Sequence, residues 1–292
     1  MDQVEGPLHV VEAPVVAAAD PFDPESRTAE LPRGGIPETV IPGDPLVPGP
    51  GTRHWAGRVV AVLGRDGARL VPGMALAALP MHFFVGRLDD TVIAAPALFD
   101  LAGGFGLLLL PTMWLAYLTV SALPFVICLA AAVGVAVPSA ADGVRPGLRQ
   151  VWAAVAYRLR GLWIWFAAVG LVSGGLSLVA HAAVAVVAST AVLALAGVFG
   201  CVVLIERGHG IRRAAHLLGR GPALGMVAVS GAASGLPLVA DEVFGGLAAT
   251  VVGVVTVQVW AVAALVAYAQ GRRSEGPVTS RSLRAELNVP ED

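Results

Sequence analysis

Apolar residues run through this chain in stretches far longer than a soluble core uses, and the charges that interrupt them fall in a few short clusters. A helix rises about 1.5 Å per residue, so crossing a hydrocarbon layer of about 30 Å takes roughly 20 apolar residues. On that measure Leu70 to Val85, bounded by Arg69 and Arg87, is one short span. Gly103 to Pro138 carries no charge and is too long for one crossing but too short for two with a turn, so it reads as one long helix emerging into the cytoplasm. Gly161 to Ile205, interrupted only by His181, has the length of two spans with a tight turn near Ala180 to Ala183. Pro222 to Val239 and Val243 to Gln270, separated by Asp241 and Glu242, form a last pair. The pattern predicts an all-α integral membrane fold of about six transmembrane helices.

The arginines orient it, because cytoplasmic loops retain positive charge. Arg53, Arg58, Arg65 and Arg69 precede the first span, Arg145, Arg149, Arg158 and Arg160 the third, and Arg207, Arg212, Arg213 and Arg220 the fifth, while Arg272 and Arg273 follow the sixth. The other loops hold Asp89, Asp90, Asp100, Asp241 and Glu242 against Arg87 alone. All the basic sides are cytoplasmic only if the number of spans is even and both termini are inside.

The same stretches repeat. Trp55 to Arg69, Leu148 to Arg160 and Ile211 to Arg220 each combine apolar residues at helical spacing with arginines on the other face, then run into a span. In the second, Leu148, Val151, Trp152, Val155 and Leu159 form the apolar stripe, opposite Arg149 and Arg160. The first repeats the basic face through Arg58, Arg65 and Arg69, the third through Arg213, His216 and Arg220. The first two have helical length and the third that of a short turn. Such segments suit the headgroup layer, with guanidiniums reaching phosphates. Candidate lipid-headgroup contacts are therefore Arg58, Arg65, Arg69, Arg149, Arg158, Arg160, Arg212, Arg213 and Arg220. The expected architecture is three repeated hairpins, each preceded by a short amphipathic interfacial helix.

Two of these stretches, Gln150-Val-Trp-Ala-Ala-Val-Ala-Tyr-Arg-Leu-Arg-Gly-Leu-Trp163 and Ile205-Glu-Arg-Gly-His-Gly-Ile-Arg-Arg-Ala-Ala-His-Leu-Leu-Gly-Arg-Gly221, carry a family resemblance. The pattern resembles the membrane domain associated with glycerophosphoryl diester phosphodiesterases and its stand-alone relatives, over about residues 53 to 273. The resemblance implies the hairpin architecture. That family's hydrolysis belongs to a separate soluble barrel with acidic metal ligands and histidines, which this chain lacks, so no catalytic residue carries over.

Composition agrees with a bilayer setting: 56% hydrophobic and 14% charged residues, with mean hydropathy +0.75, against roughly 45–50% and 25% in soluble domains. Every basic residue is arginine, which with the Ala, Gly, Val and Pro richness points to a GC-rich bacterial genome and a cytoplasmic membrane. Residues 1–52 are acidic and Pro-rich and read as a disordered tail, since they cannot bury enough apolar surface to offset ordering entropy. Pro42, Pro45 and Pro48 within it suit polyproline II recognition, or arise from the Pro-rich composition alone. The membrane domain then covers 53–273 and a short cytoplasmic tail 274–292. No cleavable signal peptide is legible, so the first span would direct targeting.

Candidate chemistry is sparse. Charged groups at membrane depth are few, which argues against an ion-coupled transporter. His82 and His181 are candidates for axial haem ligation or are simply hydrated at the outer surface. Asp241 and Glu242, with Asp89 and Asp90, are a cation site or solvated caps. Cys128 and Cys201 sit deep in apolar runs and build no metal site. Gly103-Gly-Phe-Gly106 and Gly208-His-Gly210 lack the strand and helix of a nucleotide fingerprint, and Ser173, Ser189, Thr190, Ser230 and Ser234 lack a base and acid for nucleophilic catalysis. Gly170 with Gly174, Gly221 with Gly225 and Gly231 with Gly235 match the spacing that lets helices approach, within the chain or between copies. Pro111, Pro124 and Pro237 would kink spans, shaping packing or a gate.

The sequence therefore predicts a non-enzymatic membrane scaffold or lipid-interacting protein without a cofactor or metal. Its partners would be the bilayer, anionic headgroups and a second copy or another membrane protein, with no nucleic acid. The alternative is a permease for a small or lipidic solute, motivated by repeats, broken helices and Gly-rich spans.

Overall fold

The computed structural model describes residues 43–82, 115–116, 119–143, 146–179, 182–206 and 210–288, with backbone alone for 174–179 and 182–183. Residues 1–42, the loop acids Asp89, Asp90 and Asp100, Arg87, Arg145, Arg207, His181, Pro111 and the Gly103–Gly106 cluster lie outside them. Among the described residues the regular structure is helical: α1 Thr52–Pro80, α2 Leu123–Asp142, α3 Leu148–Val179, α4 Ala182–Ile205, α5 Ile211–Arg220, α6 Ala223–Phe244, α7 Gly246–Arg273 and α8 Ser280–Asn288. Five of them, α2, α3, α4, α6 and α7, are long and apolar enough to cross a membrane. The chain is a multi-pass membrane protein by this measure.

Two helices are central. From Trp260 to Gly271 every residue of α7 is buried, and α2 is buried almost without break from Cys128 to Ala141. A helix apolar on all sides must be enclosed on all sides, and α7 packs against α1, α2, α4, α5 and α6 while α2 packs against α1, α3, α4, α7 and α8. By contrast α3 and α6 present Trp152, Trp165, Leu224 and Leu238 outward. In water such contiguous apolar faces would be a liability; in lipid they cost nothing.

α1 packs against α2, α3 against α4 and α6 against α7. Several borders differ from expectation. The first and second arginine-bearing segments are not separate from their spans: Trp55 to Arg69 continues as α1, and Leu148 to Arg160 as α3. No glycine in a left-handed conformation divides either, and helix continues wherever nothing breaks the backbone ladder. The third segment, expected to be a short turn, is the discrete one: α5 runs ten residues between Gly210 and Gly221. The break between the last two spans falls not at Asp241 and Glu242 but at Gly245, whose φ of 85° favours glycine. The long apolar run from Gly103 ends as a helix reaching Asp142, four residues beyond Pro138, and is capped by Gly143 at φ 65°; its start lies outside the described residues.

Along α1, Trp55 Nε1 donates to Ala263 O at 3.1 Å, and at the far end His82 Nδ1 lies 3.2 Å from Thr250 Oγ1. The 27 residue steps from 55 to 82 cover about 40 Å of helix, whereas the 13 steps from 250 to 263 cover about 20 Å. Pro72, inside α1 between the two contacts, supplies a place to bend.

Parts of the stretches on either side of 53–273 are folded in the described residues. Leu46 and Val47 are buried, and Asp44 Oδ1 accepts from their backbone N–H groups at 2.9 Å each. Asp44 Oδ2 accepts from Ser280 N at 2.7 Å, placing a carboxylate at the N-terminus of α8, where unpaired N–H groups and the helix dipole favour it. Arg273 donates to Pro48 O at 2.8 Å. α8 then buries Leu283 and Leu287 against α2 and α4.

Candidate functional site

All the described arginine-rich segments meet at one end of the bundle. The N-terminal half of α1, the C-terminal end of α2, the start of α3, the end of α4, α5, the end of α7 and α8 are tied there by side-chain contacts. Fourteen described arginines at this end face six carboxylates, Asp44, Asp66, Asp142, Glu206, Glu275 and Glu286, a surplus of eight. The opposite end presents Asp241 and Glu242, both exposed.

Two buried carboxylates organise part of this charge, and neither was singled out from the sequence. Asp66, with no exposed side-chain surface, accepts from Arg65 Nη2 at 2.6 Å, Arg65 Nε at 2.9 Å and Ser139 Oγ at 2.7 Å, with Arg69 Nη1 at 3.4 Å. It couples α1 to the end of α2. Glu206, just past α4, accepts from Arg213 Nε at 3.0 Å, Arg272 Nη1 at 2.8 Å and the Tyr268 hydroxyl at 2.9 Å. Arg213 continues to Glu275 at 2.5 Å and Arg272 to Glu286 at 2.9 Å, so α4, α5, α7 and α8 share one network. Burial pushes the Glu206 carboxyl up, but the hydrogen bonds from Arg213, Arg272 and Tyr268 outweigh it and hold the group below the ordinary glutamate range. The Glu275 hydrogen bond raises the Arg213 pKa. Arg284 pairs with Asp142 across α8 and α2.

The nine arginines expected at headgroups thus divide. Arg65, Arg69 and Arg213 are held by protein carboxylates. Arg158 is buried on α3, donates from Nη1 to Leu204 O and lies 4.7 Å from the centre of the Tyr157 ring, so it ties α3 to α4 and does not face lipid. Arg58, Arg149, Arg160, Arg212 and Arg220 make no hydrogen bond or ion pair with any described residue, and all but the half-buried Arg58 are exposed. The sequence could not make this division, because Asp66 and Glu206 each stand beside an arginine and read as parts of a solvated charge run.

Beside this end a groove of about 580 Å³ opens along α2, with α1 and α3 as its walls. Its surface is apolar, from Leu76 on α1, Ile127 and Ala131 on α2 and Val155 and Trp163 on α3, apart from Arg69 and Arg160. A Cβ on Gly73 would come 2.8 Å from the Ala131 Cβ, so α1 and α2 touch nearly backbone to backbone there. The bundle centre, in contrast, is filled: Trp260 meets Phe125 edge-on at 5.2 Å and Phe166 at 5.9 Å, and its Nε1 donates to Ser230 Oγ at 3.2 Å.

The remaining candidates are placed simply. His82 meets Thr250, while His181 lies outside the described residues. Among the described residues no group of three His, Cys, Asp or Glu could hold a metal ion, and Cys128 and Cys201 are free thiols buried in α2 and α4. Thr190 and Ser234 hydroxyls donate to carbonyls of their own helices. Of the predicted glycine contacts, Gly225 receives the Trp55 ring and Gly221 lies against Leu217 O and Ala267 O, whereas Gly235 faces open space. Compared with protein-family models, curated proteins and solved structures, the chain matches none.

Proposed function

We propose that this is a non-enzymatic integral membrane protein that engages anionic lipid headgroups through its arginine-rich end. The observation that carries the reading is the set of exposed arginines without a partner among the described residues, Arg149, Arg160, Arg212 and Arg220, around a bundle that shows lipid an apolar belt. A guanidinium left unpaired where headgroups lie gains a phosphate partner by charge-assisted, bidentate hydrogen bonds. In this reading the apolar stretch that begins at Leu70 supplies a sixth span, the spans form three repeated hairpins, and the arginine-rich end with both termini is cytoplasmic in a bacterial inner membrane. The charge difference between the two ends supports that orientation. The resemblance to the stand-alone membrane domain of glycerophosphoryl diester phosphodiesterases is retained here as an architectural relationship. Pairing between copies remains part of the proposal, through the outward faces of α3 and α6. A permease reading finds less support, since aromatic rings occupy the bundle centre between α2, α3 and α7.

The test is thermal unfolding of the full chain in nanodiscs of phosphatidylglycerol or phosphatidylcholine with equal acyl chains. Phosphatidylglycerol should raise the Tm, the gain should shrink with salt, and the triple substitution R149Q, R212Q and R220Q should blunt it. Equal Tm in both lipids would sink the reading.

A further inference from the structure

We infer that the groove between α1, α2 and α3 is a site for one anionic phospholipid, its phosphate held by Arg160 and one acyl chain lying along α2. The inference rests on the lipid-engaging reading and gives it a specific site. Three features converge on this occupant. First, the groove is a lateral, half-open slot rather than a closed cavity, and its size of about 580 Å³ lies within the range of pockets that enclose a small ligand. Second, apart from Arg69 and Arg160 its walls offer an acyl chain apolar side chains, and its floor is shaped by the close Gly73–Ala131 approach.

Third, the charge at the groove is positive and incompletely neutralised. Asp66 is shared by Arg65 and Arg69, and Arg160 meets no carboxylate among the described residues, so there three arginines face one acid and leave two positive charges. Arg69 spends only Nη1, at 3.4 Å to both Asp66 and Ser139, which leaves further donors on its fork. Arg160 lies one helical turn before Trp163, and its long stem lets the guanidinium reach along the groove toward the headgroup level. Trp152, which also borders the groove and is largely exposed, suits the interfacial layer. A basic pocket between membrane helices on one side of the bilayer is the setting in which anionic headgroups bind selectively.

The experiment is native mass spectrometry of the full chain in detergent with equal amounts of phosphatidylglycerol and phosphatidylcholine. One phosphatidylglycerol adduct should dominate. R160Q should lower its occupancy about tenfold, the scale of one charge-assisted contact. L76W, which fills the slot from an exposed wall position, should lower both lipids' adducts, and G235A, on α6 outside the groove, should change nothing. Should L76W not fold, R160Q alone decides. An adduct without preference for phosphatidylglycerol, or one that R160Q leaves intact, overturns the site. If R160Q and L76W are silent while the triple variant above still blunts lipid stabilisation, the groove fails and the broader reading stands. If the adduct responds as expected while nanodisc lipids leave Tm unchanged, the groove stands and the broader reading fails.

Discussion

Replacing Glu206 by Gln tests whether the arginine-rich end is held by a buried ionic network or only decorated by charge. The Glu206 side chain is 4% exposed, and Arg213 and Arg272, at 24% and 18%, are only partly wet. The substitution keeps size and one acceptor oxygen but removes the charge that three donors share. Hydrogen bonds to charged groups contribute about 1.5–3 kcal/mol each when lost outright. Here Arg213 keeps Glu275 and Arg272 keeps Glu286, so most of each donor's pairing survives. The net loss should be about 2 kcal/mol, which at roughly 2–4 °C per kcal/mol for a domain of this size lowers Tm by about 4–8 °C. Glu275→Gln is the internal control, since Glu275 is more exposed and Arg213 would retain Glu206; it should cost about 0.5 kcal/mol.

The pH dependence sharpens the test. The Glu206 carboxyl titrates below its unfolded value, so its stabilisation is present above that value, near pH 4.3 in a free chain, and is lost as pH falls through the lower folded value. Wild type then converges on E206Q in acid. Melting in nanodiscs at about pH 7 and about pH 4 and below should show a deficit that is full at neutral pH and shrinks on acidification. A wild-type-like E206Q at neutral pH, or a deficit that widens in acid, would refute the network as a source of stability.

Other perturbations follow from the same geometry. Asp66→Ala leaves Arg65 and Arg69 without their buried carboxylate and should lower stability by about 2–3 kcal/mol, with Ser139→Ala costing about 1 kcal/mol, both read by thermal melting. Gly271→Ala forces a Cβ to 2.6 Å from Leu217 O, a backbone atom that moves only with α5, and should destabilise clearly; Gly235→Ala, with open space around it, should be neutral or gain up to about 1 kcal/mol from helix propensity. Leu283→Ala removes a fully buried side chain from α8 and should cost about 2–4 kcal/mol, with α8 becoming cleavable in limited proteolysis. For topology, a cysteine at Arg212 should label with a membrane-impermeant maleimide only from the cytoplasmic side and one at Asp241 only from outside, native Cys128 and Cys201 being buried.

Five span positions were legible because run length between charges is a direct image of hydrocarbon thickness; the turn near Ala180 fell where α3 gives way to α4. Ends were less legible. Asp241 and Glu242 looked like a loop because charge was taken as the break, yet a helix tolerates acids at its wet last turn, and only Gly245 with positive φ stops it. The folded pieces 43–51 and α8 were hidden for a related reason: each is too short and polar to fold alone, and each is ordered by contacts distant in sequence, Asp44 with Ser280 and Gln270 with the carbonyls of Gly49 and Gly51. Binary patterning sees a segment's own residues, not the partner that completes them.

The arginines make the same point about function. Periodicity sorted them by helix face and gave all nine one role, but what decides the role is whether a carboxylate from another element arrives. Where Asp66 or Glu206 is buried alongside, leaving a charge in a poorly hydrated site favours pairing inside the protein, and the arginine becomes a fastener between helices. Where no acid among the described residues reaches, as at Arg149, Arg160, Arg212 and Arg220, the guanidinium stays at the surface with its donors open. In a protein whose core helices α2 and α7 are already enclosed by neighbours, those open donors are not needed to hold the bundle together. The groove places one of them, Arg160, against an apolar slot that the helices do not fill. A lipid phosphate at that position would satisfy a charge that the fold itself leaves uncompensated.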